Sequence, residues 1–353
     1  MTERAALAGV TLAAGLALLA AAALAPEPVA AGPRPPPDPI RVRFATIAPE
    51  KTPWADQLLD IKHRIERESG GRIKISMLLG GGPYPGEQDM VRDLRRGKLQ
   101  AGAFSGGAVA SLVPELQVLE LPYLFRDEAE ADFVIDEVLG PALAKAAERE
   151  GFVLAIWGEN GWRSIGTSAR AGPVRKPEDL AGLKVRAQEM PLHVDFWKAL
   201  GATAVEIPLA ETLAAIETGV IDGFDQTPLY ATAAGWHTRI KYFSLTDHIY
   251  QPGIVVYNKR FFDSLPDDLK KVMLGDPATE RTRSRKGVRA MNAELLAGFG
   301  EEGIEVIALS TEEKAAFQRL SLPVREEYGK RFGDLYRKAQ DALAARRART
   351  KTE

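Results

Sequence analysis

Apolar and polar residues alternate through Ile40-Arg41-Val42-Arg43-Phe44-Ala45, the period of two expected of a half-buried strand. A helix is predicted to start near Thr52-Pro53-Trp54 and run to about Ser69, closed by Gly70-Gly71. Arg72 to Leu78 alternates again and reads as a second strand. A glycine-rich loop, Gly80 to Gly86, leads into a helix over Glu87 to Gly97, and Leu99 to Phe104 is a short third strand. This βαβαβ rhythm implies a parallel sheet with helices on both faces.

The rhythm restarts after Trp157. Strands at Leu183–Ala187, Ala204–Ile207 and Ile221–Phe224 alternate with helices at Pro191–Leu200 and Leu209–Thr218. The octapeptide from Leu94 to Ala101 is echoed by that from Ile216 to Gly223: a helix end, a glycine, then a short strand. Ligands in open parallel sheets lie beyond the carboxyl ends of the strands, so two such units facing each other make a cleft. The same helix–glycine–strand order is also common in α/β proteins that share no site. Tyr250 to Asn258 reads as a strand returning to the first unit. Beyond it helices dominate, one opening at Leu265-Pro266-Asp267-Asp268. Another carries Val324, Tyr328, Phe332, Leu335, Ala339 and Leu343 on one stripe that packs against the lobes.

The N-terminus differs in kind. Arg4 precedes an apolar run from Ala5 to Ala25, and the small residues Val29, Ala30 and Ala31 offer a cleavage site after Ala31. Residues 1–31 therefore read as an export signal, with an uncleaved membrane anchor as the competing reading. The Pro-rich stretch 32–39 reads as a stiff leader. The expected division is 40–160 plus about 250–290 for lobe I, and 161–249 plus about 291–353 for lobe II and its connecting helices.

The 353 residues carry 46 Lys and Arg against 48 Asp and Glu, a net charge of −2, and no basic run that points to nucleic acid. Arg346, Arg347, Arg349 and Lys351 read as a solvated tail. The absence of cysteine excludes disulfides, thiol catalysis and a lipid-modified N-terminal cysteine, and suits an oxidising compartment.

Few residues suggest catalysis. His63, His193, His237 and His248 have no metal-ligand spacing and read as satisfied surface or core histidines. There is no phosphate loop, no GxGxxG and no G-x-S-x-G elbow. No cofactor is expected. Two arginines near strand ends stand out. Arg186 closes the strand after Lys184-Val185, and Arg163 sits in Glu159-Asn160-Gly161-Trp162-Arg163 where the chain crosses between units. A guanidinium binds a carboxylate through two parallel hydrogen bonds and is not neutralised by burial. The other reading of each is a surface arginine or an inter-lobe salt bridge.

The block Asp179-Leu-Ala-Gly-Leu-Lys-Val-Arg186, followed by Leu200-Gly-Ala202, Pro208-Leu209 and Ile216-Glu-Thr-Gly-Val-Ile-Asp-Gly223, resembles the DctP-type substrate-binding proteins of TRAP transporters. The resemblance covers roughly Ile40 to the C-terminus. It implies an α/β, two-lobed periplasmic-binding-protein fold with a central cleft, crossing strands and long C-terminal helices, closing by hinge motion on an organic acid. It implies that Arg186 forms the salt bridge to the ligand carboxylate, with Arg163 as a second arginine, and that integral-membrane TRAP subunits are the partners. The turn Asp222-Gly-Phe-Asp-Gln-Thr-Pro228 departs from the family's Asp-Gly-x-Glu-Asn-Pro, leaving Gln226 or Thr227 in place of the usual asparagine. The loop from Gly80 to Glu87 resembles a branch associated with tetratricopeptide-repeat accessory proteins and more hydrophobic ligands. Tyr84, Phe104, Trp162, Phe224, Tyr230 and Trp236 would then line an apolar pocket, with lobe core as the other reading of each. Asp225 and Glu87 complete the candidate ligand set. A periplasmic sensor that presents ligand to a receptor, or an enzyme acting on an anionic substrate, are the alternatives.

Overall fold

The computed structural model describes residues 38–350. The expected export signal at 1–31, and most of the leader, lie outside the described residues. The first alternating segment forms β1 (Ile40–Thr46), with Val42 wholly buried and Arg41 exposed. Its parallel neighbours are β2 (Ile73–Leu78) and β3 (Ala101–Ser105). The helix between β1 and β2 is Pro53–Glu68, where Thr52 Oγ1 accepts from the backbone N–H of Ala55 at 3.2 Å. Leu58, Ile61 and Ile65 recur at helical spacing and are at most 2% exposed, which fastens that helix to the sheet.

The second unit contains β5 (Lys184–Ala187), β6 (Thr203–Glu206) and β7 (Gly223–Gln226), again parallel. Two long strands join the halves: β4 (Phe152–Thr167) and β8 (Tyr242–Asn258). They pair antiparallel with each other, and β9 (Glu305–Ala308) adds to β8. The nine strands form one sheet in the order β2-β1-β3-β8-β4-β7-β5-β6, with β9 off that path. The parallel rhythm expected within each unit is present, but the expected Tyr250–Asn258 strand is only the second half of β8. Register shifts between Leu154/Ile156, Glu159/Gly161 and Arg163/Ile165 interrupt the β4–β8 ladder where the halves meet. Such bulges bend a strand and re-aim its side chains.

A 25-residue helix, Pro277–Glu301, packs along β4. Gly161, at φ 105°, lets it approach, since a Cβ there would stand 2.9 Å from Asn292 Nδ2. The C-terminal stripe is broken. Helices Thr311–Phe332 and Asp334–Thr350 are separated by Gly333 at φ 52°, a positive φ that glycine adopts at no steric cost and that ends the first helix. Val324, Tyr328, Ala339 and Leu343 still pack into the first unit's core, as the stripe implied. Of the basic residues expected to form a solvated tail, Arg347 instead forms an ion pair with Glu130 at 2.6 Å and Arg346 lies over the Phe133 ring, Arg349 is exposed, and Lys351 lies outside the described residues. Among the described residues no helix is long and apolar enough to cross a membrane.

Candidate ligand-binding cleft

The carboxyl ends of β1, β3 and β7, the bulged middle of β4 and the segment after β5 converge on one cleft. About 610 Å³ lies between its walls out to the mouth. Thr46, Glu87, Ser105, Asn160, Gln188 and Gln226 contribute polar groups to the walls, with Trp54, Phe104 and Tyr230 as the aromatic ones.

Arg163 lines the cleft with its guanidinium already committed. Its Nε lies 2.5 Å from Asp225 Oδ2, Nη2 donates to the Asp225 carbonyl at 2.9 Å, and Nη1 donates to Gln251 Oε1 at 3.1 Å. Asp225 is fully buried beside His248, whose Nε2 is 3.2 Å from the same carboxylate oxygen. Burial works to raise the Asp225 pKa, but the Arg163 charge and the His248 contact hold the carboxyl well below its usual range. His248 Nδ1 contacts Thr246 Oγ1 at 2.8 Å and its ring stacks on Phe196 at 4.7 Å. On the other side Gln251 Nε2 donates to Glu120, which also contacts His193 Nε2 at 3.1 Å. Arg163 is thus a buried salt-bridge residue, but its partner Asp225 lies on the adjacent strand β7 within the same expected lobe, 161–249, so the bridge does not join the lobes. His193 and His248 are both core residues with polar partners.

Arg186 contrasts with it. The residue is 1% exposed, its Nε donates to the Ile207 carbonyl at 3.1 Å, and its Nη1 is buried without a hydrogen bond. No carboxylate forms an ion pair with it among the described residues. Burial, and then the repulsion of Arg163, push its pKa down to about 10. The Trp236 ring backs the guanidinium, with Cζ 5.8 Å from the ring centroid. Arg186 lies one layer behind the lining, near enough for its charge to act on Glu87, Glu189 and Tyr230. A buried cation without a counter-ion is costly, and an anion reaching it from the cleft would remove that cost.

Glu87 shares the cleft wall with one other acid, Glu159. Its carboxylate accepts from Ser105 N at 2.8 Å and Ser105 Oγ at 2.6 Å, yet burial outweighs these bonds and pushes its pKa up. Thr227 caps the helix Pro228–Ala233, and its backbone N–H donates to Gln226 Oε1 at 2.9 Å. Gln226 and Thr227 both line the cleft.

The expected aromatic pocket is not assembled. Phe104 and Tyr230 line the cleft. Phe224 and Trp236 are core residues of the second unit because alternation along β7 and the following short helix turns them inward. Tyr84 bonds Asp93 at 3.2 Å and stands off the cleft. Trp162 faces away across β4, its Nε1 donating to Glu128. Trp54, Gln188, Asn160 and Gln251 were not singled out in the sequence. A tryptophan just inside a helix start beside a strand end is the one readable signal among them.

The family model for bacterial extracellular solute-binding protein, family 7 (DctP), matches residues 44–331. The 2,3-diketo-L-gulonate-binding periplasmic protein YiaO of Escherichia coli is 32% identical over 75% of this chain and 80% of its own. The C4-dicarboxylate-binding periplasmic protein DctP of Rhodobacter capsulatus is 27% identical over 84% and 88%. A TRAP periplasmic solute-binding protein from Sulfitobacter with bound β-D-galacturonate superposes with a TM-score of 0.81 at 28% identity, covering 85% of this chain and 99% of that one. The sugar acid binding protein of Advenella mimigardefordensis, in complex with galactonate, gives 0.81 at 26% over 86% and 99%. The fold is therefore the two-lobed one of these proteins, and the chain belongs to the DctP family of bacterial extracellular solute-binding proteins.

Proposed function

We propose that the protein is the exported solute-capturing subunit of a TRAP-type secondary transporter, and that its cargo is a hydroxylated monocarboxylate of the sugar-acid class. The observation that carries this reading is Arg186, buried without a carboxylate partner beside a polar cleft. The ligand carboxylate would fill the place of the missing counter-ion, through a bidentate pair that closure shields from water. Arg163, held by Asp225, sets the shape of the same end of the cleft. Gln226 takes the place of the family asparagine: its Oε1 is occupied by Thr227 N, so its amide N–H groups are the part left for the ligand. Glu87, Gln188 and Asn160 present groups that hydroxyls satisfy, and the relatives with bound galacturonate and galactonate carry such hydroxyls.

The walls do not favour the larger, greasier acid, since Tyr84, Trp162 and Trp236 stand off the cleft. The lobe boundaries follow the crossing strands, with hinge bending at the bulged middle of β4 and β8. The membrane subunits of the transporter would receive the closed form, and residues 1–31 would direct export before removal. Thermal unfolding with D-galacturonate, D-glucuronate and D-galactonate tests the reading, because a ligand of the folded state raises stability. A stabilising acid, recovered unchanged after incubation, is the expected result. Stabilisation by neutral sugars alone, or turnover of the acid, would overturn it.

A further inference from the structure

On the far side of β4 a second pocket, with about 1840 Å³ between its walls out to the mouth, lies between the crossing strands, the Pro277–Glu301 helix, the Thr311–Phe332 helix and the segment around Tyr123. Asn160 and Arg163 of β4 face the cleft, whereas Gly161, Trp162 and Ser164 face this pocket, and Glu159 touches both.

Most charges on its wall are neutralised. Arg289 is paired with Asp132 and Glu159, Arg347 with Glu130, and Lys314 with Asp247. Asp127 accepts from Glu130 N, and Glu128 accepts from Trp162 Nε1. Three groups remain. The Tyr123 hydroxyl and Arg325 Nε are buried without hydrogen bonds, the latter 3.8 Å from Glu326. The Arg126 guanidinium, exposed at the same wall, has no ion pair or hydrogen bond among the described residues. A hydroxyl donor, the Arg126 guanidinium and one N–H of Arg325, each without an acceptor, ask for an anion. Tyr123, Phe125 and Trp162 supply a flat apolar wall beside them.

The backbone at this wall is strained. Tyr123 at φ 52° and Asp247 at φ 45° are two of the three non-glycine residues with positive φ among the described residues. Tyr123 is held there from both sides, its N–H donating to the His248 carbonyl at 2.8 Å and its carbonyl accepting from Arg325 Nη1 at 2.9 Å.

We propose that this pocket is a second ligand site, for a small organic anion with a flat apolar body, and that its occupancy is coupled to cargo binding in the cleft. The coupling rests on the cleft reading given above. Two chains of contacts carry it: Thr246 of the pocket reaches Arg163 of the cleft through His248 and Asp225, and Arg289 grips the shared Glu159. Because the pocket and the cleft share β4, hinge motion alters both, and affinity changes at the two sites are reciprocal.

The test is calorimetric titration of the full chain with benzoate, with benzyl alcohol as the uncharged control. Benzoate binds the wild type and the Arg186→Ala variant alike. Tyr123→Phe and Arg126→Gln each weaken it by about tenfold, the loss of one charged hydrogen bond. Saturating benzoate also shifts the affinity of the wild type for its sugar acid by about fivefold or more. Loss of benzoate in Arg186→Ala would place it in the cleft and overturn the second site. Equal binding of benzyl alcohol, indifference to both pocket substitutions, or no benzoate binding by the wild type would also overturn it. An unchanged sugar-acid affinity would overturn the coupling. A wild type that takes no sugar acid defeats the cleft reading alone and leaves the benzoate comparison readable.

Discussion

Arg163 Nε and Asp225 Oδ2 meet at 2.5 Å, with both side chains at most 1% exposed. The pair ties β4 to β7, and Asp225 gives Arg163 the counter-ion that Arg186 lacks. Asp225→Asn keeps the shape but removes the charge, leaving a buried guanidinium uncompensated. The expected loss of folding stability is about 3–5 kcal/mol, read from urea denaturation at neutral pH. A loss below about 1 kcal/mol would show that Arg163 is neutralised in some other way.

Arg186→Met should behave in the opposite sense. It replaces a buried cation without an ion-pair partner by an apolar side chain of similar length, so the ligand-free protein is expected to be as stable as the wild type or more so. The same denaturation curves decide it. A destabilisation matching that of Asp225→Asn would mean that Arg186 has an internal role comparable to that of Arg163.

The contrast between these arginines marks how far the sequence could be read. Strand–helix alternation exposed the two parallel units, because periods of two and 3.6 are local properties. It also singled out both arginines near strand ends, with Arg163 alone at the point of crossing. It did not show that β4 and β8 run through both units as antiparallel partners, since that depends on pairings nearly a hundred residues apart. The division of labour between the arginines was likewise hidden: it turns on which of them Asp225 reaches. Trp162 and Trp236 were legible as aromatics near strand ends, but bulges and a short helix determine which side they face. Gly333 falls inside the stripe read as one helix, and its positive φ turns that expected helix into two.

Acidification should weaken the fold partly through His248. An unfolded histidine titrates near 6.5, whereas burial lowers the pKa of His248 in the folded state against the pull of Asp225. Between those two values the unfolded chain holds a proton that the folded chain lacks, so stability falls as pH drops below about 6.5. The limit for one proton is about 1.4 kcal/mol per pH unit. Denaturation midpoints of the wild type and His248→Gln, compared from pH 7.5 to 5.5, should show a shallower slope in the variant. Identical slopes would assign the acid sensitivity elsewhere.

Glu87 makes a prediction about selectivity. Its carboxyl group, which burial pushes toward the neutral form, suits sugar hydroxyls and in its ionised form repels a further carboxylate. Glu87→Gln is expected to weaken binding of a sugar acid by about tenfold and to strengthen that of succinate. Competition calorimetry with the two acids measures both changes. Equal losses for both would make Glu87 a structural partner of Ser105 only.

The most direct test of the cleft as a carboxylate site is calorimetric titration of D-galacturonate and of uncharged D-galactose into wild type and Arg186→Met. Binding of the acid by the wild type, with no binding of the neutral sugar and none of the acid by the variant, is the expected result. Retention of the acid by Arg186→Met with undiminished affinity, or equal binding of D-galactose by the wild type, would contradict it.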